Sequence, residues 1–196
     1  MDNQVLEGLK LMGNQAKARF KYCGENVYVY PLVKIIRAEH IEIDDYSRIC
    51  DYVYIDAGKS VKIGKYCMIT WQCIIEGGAE TYLGDRVFVG PGTKILTSTY
   101  EINGFYGNEF LPEGTRGFQY GNVDIHDDAY IGANSVIMPG VTIGEGAVVG
   151  ANSLVNRNLK PWGIYFGNPV KLIGMRERPT EERKKIIDAM DWTKHF

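Results

Sequence analysis

Side chains able to do chemistry are concentrated in one stretch of this 196-residue chain, positions 97 to 121. It carries the rings of Tyr100, Phe105, Tyr106, Phe110, Phe118 and Tyr120, the carboxylates of Glu101, Glu109 and Glu113, and the guanidinium of Arg116. Aromatic faces at this density can stack on a nucleotide base or a sugar face. Any one ring is as readily used to fold the stretch onto the surface beneath it. Histidine is scarce: His40, His126 and His195 are too few and too scattered for a histidine-rich metal site. Cys23, Cys50, Cys67 and Cys73 show no CxxC spacing, so no metal and no redox pair is expected.

The elements that must position these groups are legible in composition. Glycine occurs 23 times, and 20 Ile and 15 Val stand against 10 Leu. Abundant β-branched residues with frequent glycine favour short strands and many turns and exclude an all-α fold. Charges nearly balance at a net of -2, against a nucleic-acid-binding chain. No apolar run approaches the ~18 to 20 residues of a membrane span, and the N-terminus lacks the pattern of a signal peptide. A cytoplasmic protein, without nucleic-acid or membrane partners, is expected.

A repeat organises the strands. Ile125, Ile131, Ile137, Ile143, Val149 and Val155 are spaced by six. The same step links Leu83, Val89 and Ile95, then Ile63, Ile69 and Ile75, then Ile43, Ile49 and Ile55, with Val29 and Ile35 opening the series. Small or β-branched residues, Cys67 and Cys73 among them, stand two places before the marks. Gly64, Gly84, Gly90, Gly132, Gly144 and Gly150 follow marks, where a tight turn is expected.

The interruptions are equally regular. After Ile35, Ile55 and Ile75 the step widens from six to eight, and after Ile95 it widens to 30. Three hexads per triangular turn would put each insertion at one corner, as in a stacked solenoid. Val5, Leu9, Met12 and Ala16 recur at helical spacing, and Thr180-Glu181-Glu182 opens another helix. The expected plan is one domain: a helical cap over 1–22, a solenoid over 27–176 with the loop 97–121, and a helical tail over 179–196.

The run Ile131-Gly-Ala-Asn-Ser-Val-Ile-Met-Pro-Gly-Val-Thr-Ile-Gly, the following Val149-Gly-Ala-Asn-Ser-Leu-Val and the exit Gly167-Asn168-Pro169-Val170-Lys171 resemble the hexapeptide-repeat acyltransferases. The likeness is greatest to sugar-nucleotide N-acyltransferases related to the galactoside and maltose O-acetyltransferases. It implies an all-β solenoid in the form of a left-handed parallel β-helix, a homotrimer with sites between subunits, and acetyl-CoA or another acyl-CoA as donor. By position, the turns Gly132-Ala133 and Gly150-Ala151 would lie along the pantetheine arm. Asn156, Arg157, Lys160, Lys171 and Arg176 would meet the phosphates and adenine.

O-acetylating members carry a histidine just after the last hexad before the long loop. Here that stretch reads Thr97-Ser98-Thr99-Tyr100-Glu101. A hydroxyl needs a base, typically worth about 10²- to 10⁴-fold, whereas a partly neutral amine needs positioning more than deprotonation. The departure implies transfer to the amine of a nucleotide-linked deoxyamino sugar, such as a dTDP-linked one, of the kind that enters surface polysaccharides. Glu109 is the first candidate to orient that amine, with Ser98, Thr99 and Glu101 next. Tyr100, Tyr106, Phe110 and Arg116 are candidate acceptor contacts. The alternative is O-acetylation with His126 or Tyr100 as base.

Overall fold

A two- or three-residue strand and the turn that follows it use six residues, so each step of six carries the chain along one side of a triangle. The computed structural model describes residues 17–101 and 103–189. Over them three stacks of parallel strands build a β-solenoid of about 7 turns. The first sheet has six strands, from Tyr22–Cys23 to Thr142–Ile143. The second has eight, from Tyr28–Val29 to Lys171–Met175, and the third has six, from Lys34–Ile36 to Leu154–Val155. Marks align rung on rung: Ile69 pairs with Val89, Val89 with Ile131 and Ile131 with Val149.

The marks fill the core. All fifteen from Ile43 to Val155 are buried, and Val29 and Ile35, on the first coil, pack against the cluster half-buried. Each buried side chain of this size contributes roughly 1.5–3 kcal/mol by leaving water. The residues two places earlier are small because they sit beside the bend, and the polar ones are satisfied there. Ser47 Oγ donates to the Gly64 carbonyl at 2.7 Å, Cys67 Sγ to Gly84 at 2.9 Å, and Ser135 Oγ to Gly150 at 3.1 Å.

The glycines after the marks serve a different end from the expected one. The left-handed backbone of each turn falls two residues later, at Arg86 (φ 57), Asn134 (φ 57) and Asn152 (φ 56) for example. Asn adopts that conformation with little strain. The glycine is needed for room. A Cβ on Gly132 would stand 2.5 Å from the Ala151 nitrogen, and one on Gly90 2.7 Å from the Ala133 nitrogen, both on the next coil.

Three boundaries differ from expectation. Tyr22–Cys23 already pairs with Glu42 and Ile43, so the solenoid begins inside the span assigned to the cap. The apolar series Val5, Leu9, Met12 and Ala16 lies outside the described residues. Positions 97–121 are no open loop: Ser98–Glu101 and Gly117–Tyr120 form an antiparallel hairpin. After the last hexad, Gly163–Phe166 and Lys171–Met175 form a second antiparallel pair that extends the second sheet. The tail helix is present as Glu181–Asp188, with the Thr180 side chain accepting from the Arg183 amide at 3.3 Å. Among the described residues, no helix is long and apolar enough to cross a membrane.

Candidate active site

Every widened step lies at the corner where the third sheet hands the chain to the first sheet of the next coil. There the extra residues form a ledge down the first three turns: Arg37 to His40, Ala57 to Lys59, and Gly77 to Ala79. The hairpin springs from the same corner of the fourth turn and lies over the ledge. Between them is a cavity of about 660 Å³ lined by Ser98, Thr99, Tyr100, Glu109, Arg116, Phe118 and Tyr120 from the hairpin. Arg37, Asp56, Glu76, Gly77 and Gly78 form its floor.

Strand alternation puts Ser98 and Tyr100 on one hairpin face and Thr99 and Glu101 on the other, although Thr99 also borders the cavity. Tyr100 stands opposite Phe118 and Ser98 opposite Tyr120, giving one aromatic face. The Tyr100 and Phe118 rings are 4.9 Å apart, Phe118 and Tyr120 6.0 Å, and the Arg116 guanidinium lies 5.7 Å from the Phe118 centroid. Tyr120 lies so close over Gly78 that a Cβ there would meet its ring at 2.3 Å. On the floor, Arg37 pairs with Asp56, and Glu76 stands one rung above. Both carboxylates act on the Tyr54 phenol, whose pKa is raised by burial first and by Asp56 and Glu76 after it.

The structure thus brings together five of the eight hairpin residues expected to meet the acceptor: Ser98, Thr99, Tyr100, Glu109 and Arg116. It does not bring the other three. Glu101 falls on the opposite hairpin face, where it accepts from the Gln119 amide and from Asn103 N at 3.0 Å. Tyr106 and Phe110, 69% and 89% exposed, lie beyond the last hairpin rung. Arg37, Asp56, Glu76 and Gly78 were missed. The signal that could have found them was the run of eights, which marks their corner.

The expected donor residues do not converge within one chain, because they occupy all three corners. Gly132-Ala133 and Gly150-Ala151 stack where the second sheet meets the third. Asn156 and Arg157 follow the third sheet, and Lys160 lies where the first meets the second. Two of the arginines already have structural work. An Arg157 amine donates to the Val170 carbonyl, and Arg176 Nη1 donates to Asp128 at 2.9 Å and Gly146 at 3.2 Å while its guanidinium faces the Trp162 ring at 5.7 Å. Lys160 and Lys171 are exposed.

The histidines separate as well. His126 is on the corner between the first and second sheets, edge-on to Tyr82 at 6.3 Å, away from the cavity. His40 lies on the ledge. Its Nδ1 meets the Gly58 carbonyl at 2.8 Å and it does not line the cavity. His195 lies outside the described residues. No group of three or more His, Cys, Asp or Glu among the described residues could hold a metal ion.

Comparison with known proteins bears on the repeat and the fold. Residues 122–157 match the bacterial transferase hexapeptide (six repeats) model. A Lysinibacillus sphaericus protein named "Probable macrolide acetyltransferase" is 31% identical over 148 residues, covering 72% of this chain and 73% of that one. A Schizosaccharomyces pombe relative, 31% identical over 119 residues, is covered over 54% of its length, so the chain spans about half of such curated relatives. Among solved structures, a variant of the Bacillus cereus N-acyltransferase AntD, in complex with dTDP-4-amino-4,6-dideoxyglucose and coenzyme A, superposes with a TM-score of 0.83. It is 27% identical, and the match covers 97% of each chain. With its hexads, its rung-on-rung core and a relative matched over most of its length, the chain belongs to the hexapeptide-repeat acyltransferase family.

Proposed function

We propose that this protein transfers an acetyl or longer acyl group from acyl-CoA to the amine of a nucleotide-linked deoxyamino sugar, without a histidine base. The observation that carries the reading is the cavity under the hairpin. It offers aromatic faces, hydroxyls and carboxylates, and no histidine is among the described residues that line it. The likeness to AntD, whose complex holds a dTDP-linked amino sugar and coenzyme A, supports the same acceptor class.

The chemistry fits such a lining. The neutral amine attacks the thioester carbonyl; the C–N bond forms and the C–S bond breaks. Positive charge develops on nitrogen, where Glu76 can hold it, and Ser98 and Thr99 can orient it. The departing thiolate of coenzyme A takes the surplus proton, so the protein need supply no base. Positioning is the main contribution, and effective molarity can supply roughly 7–11 kcal/mol of the barrier.

The donor would pass the Gly132 and Gly150 turns and meet Lys160 and Lys171. These residues occupy different corners of one chain, so we place the complete site between subunits of a homotrimer, in the cytoplasm where acyl-CoA is made. The relative named for macrolide acetylation favours a second reading, transfer to a hydroxyl. For that reading Tyr100 lines the cavity and His126 does not. Thiol release from acetyl-CoA and longer acyl-CoAs, measured against amino-sugar nucleotides and plain hydroxyl acceptors, decides. Acylation confined to hydroxyls sinks the amine reading.

A further inference from the structure

The cavity is long and its charges are unevenly placed. Its floor descends the ledge from the fourth turn, where Ser98 begins the hairpin, to Arg37 on the first. Three rungs at about 4.8 Å make that some 14 Å. Glu76 stands at the upper end, one turn below Ser98. Arg37 stands at the lower end, held by Asp56 yet 42% exposed at its side chain. Arg116 belongs to the outer end of the hairpin, just beyond the Glu101–Gly117 rung and four residues from Tyr120. That distance is about 13 Å along an extended strand. The two guanidinium groups, 79 residues apart in sequence, thus line one cavity away from the Ser98 and Gly78 end.

We infer that Arg37 and Arg116 bind the diphosphate of the acceptor, and that the acceptor lies with its amine at the Glu76 and Ser98 end. The inference rests on the nucleotide-linked reading above and adds to it an orientation and a specificity-determining residue, Arg37. A span of about 14 Å suits a sugar ring followed by two phosphates. Guanidinium groups bind phosphate oxygens through paired, charge-assisted N–H donors. Asp56 fixes the Arg37 guanidinium through one amine and, among the described residues, leaves its remaining donors for a ligand. A free amino sugar lacks the anionic end and would gain nothing from either arginine.

The test uses the full chain with coenzyme A present. Binding of thymidine 5′-diphosphate is measured by calorimetry for the wild type, Arg37→Gln and Arg116→Gln, and acyl transfer is followed to a nucleotide-linked amino sugar and to the free sugar. Each substitution is expected to weaken diphosphate binding and raise KM for the nucleotide-linked acceptor by about 10- to 100-fold. Transfer to the free sugar should fall less than transfer to the nucleotide-linked acceptor, and Arg37→Lys should recover part of the loss. Arg116 lies outside the solenoid core, so its variant remains informative if Arg37→Gln folds poorly. Unaltered diphosphate binding in both variants, or equal losses with both acceptors, overturns the inference. Amine acylation without diphosphate binding would sink this inference alone. Arginine-dependent diphosphate binding with acylation confined to hydroxyls would sink only the amine reading.

Discussion

Gly78→Ala separates the shape of the proposed acceptor cavity from the stability of the solenoid. Gly78 is outside the left-handed backbone region, so alanine fits its conformation. The added Cβ would lie 2.3 Å from Tyr120 Cε1 and 2.9 Å from Cδ1. Carbon atoms pack at about 3.5 Å or more, so the ring must retreat by about 1.2 Å at least. Tyr120 is 61% exposed and can swing outward without opening the core. The expected stability loss is therefore under about 1 kcal/mol, a Tm change of roughly 2–4 °C at this chain length. Phe118 stacks on the same ring, so the aromatic face of the cavity moves with it. A displacement near 1 Å can cost about 100-fold in turnover. Steady-state kinetics should show kcat/KM for the acceptor falling by about 10- to 100-fold, with KM for acyl-CoA unchanged. If the clash is the cause, adding Gly78→Ala to Tyr120→Ala should cost nothing further. Equal losses in both backgrounds, or unaltered acceptor kinetics, would refute the reasoning.

His126→Ala should keep turnover within a few-fold of wild type, since the ring faces Tyr82 on another corner; a loss near the 10²- to 10⁴-fold worth of a general base would reverse that conclusion. Burial pushes the Cys67 thiol up to about 12. A raised folded pKa gives stability that is complete below the unfolded value, about 8.5, and lost as pH climbs toward the folded one. Tm should thus fall between pH 8.5 and 11, and fall less in Cys67→Ala; parallel curves for the two proteins would show that the thiol contributes nothing.

The solenoid was legible because its core obeys one local rule. Each mark must point inward from a strand whose neighbours above and below repeat it, so a single hexad such as Val136-Ile137 carries the instruction for the whole stack. The hairpin was less legible, although Ser98 to Glu101 and Gly117 to Tyr120 pair rung for rung. Its partners are separated by a long stretch, 102–116, whose turn signals such as Asn103-Gly104 do not join the two strands directly, so aromatic content registered where strand pairing did not. Glu101 shows the consequence: without the pairing, nothing told which hairpin face it would take. Arg157 and Arg176 show a second limit. A basic residue beside a ligand motif and one holding a carbonyl of its own fold look alike in sequence, and only the Val170 and Asp128 contacts distinguish them.

The direction taken by the hairpin follows from the same steps that located its corner. On the N-terminal side, the ledge exists because each of the first three turns carries two extra residues there. On the C-terminal side the step from Ile137 to Ile143 returns to six, and the corner is filled by Met138, Pro139 and Gly140 with nothing to spare. A hairpin leaving the fourth turn finds a shelf below and a flush edge above. Gly77 and Gly78 lower that shelf where the hairpin begins, and Tyr120 settles into the space. Arg37 and Asp56 enter the site for this reason, although they precede the hairpin by more than forty residues in sequence. The cavity proposed for the acceptor is therefore built by the first four turns together, whereas the glycine-rich turns proposed for the donor belong to the fifth and sixth. The two substrates would draw on different lengths of one solenoid, and the widened steps mark the boundary between them.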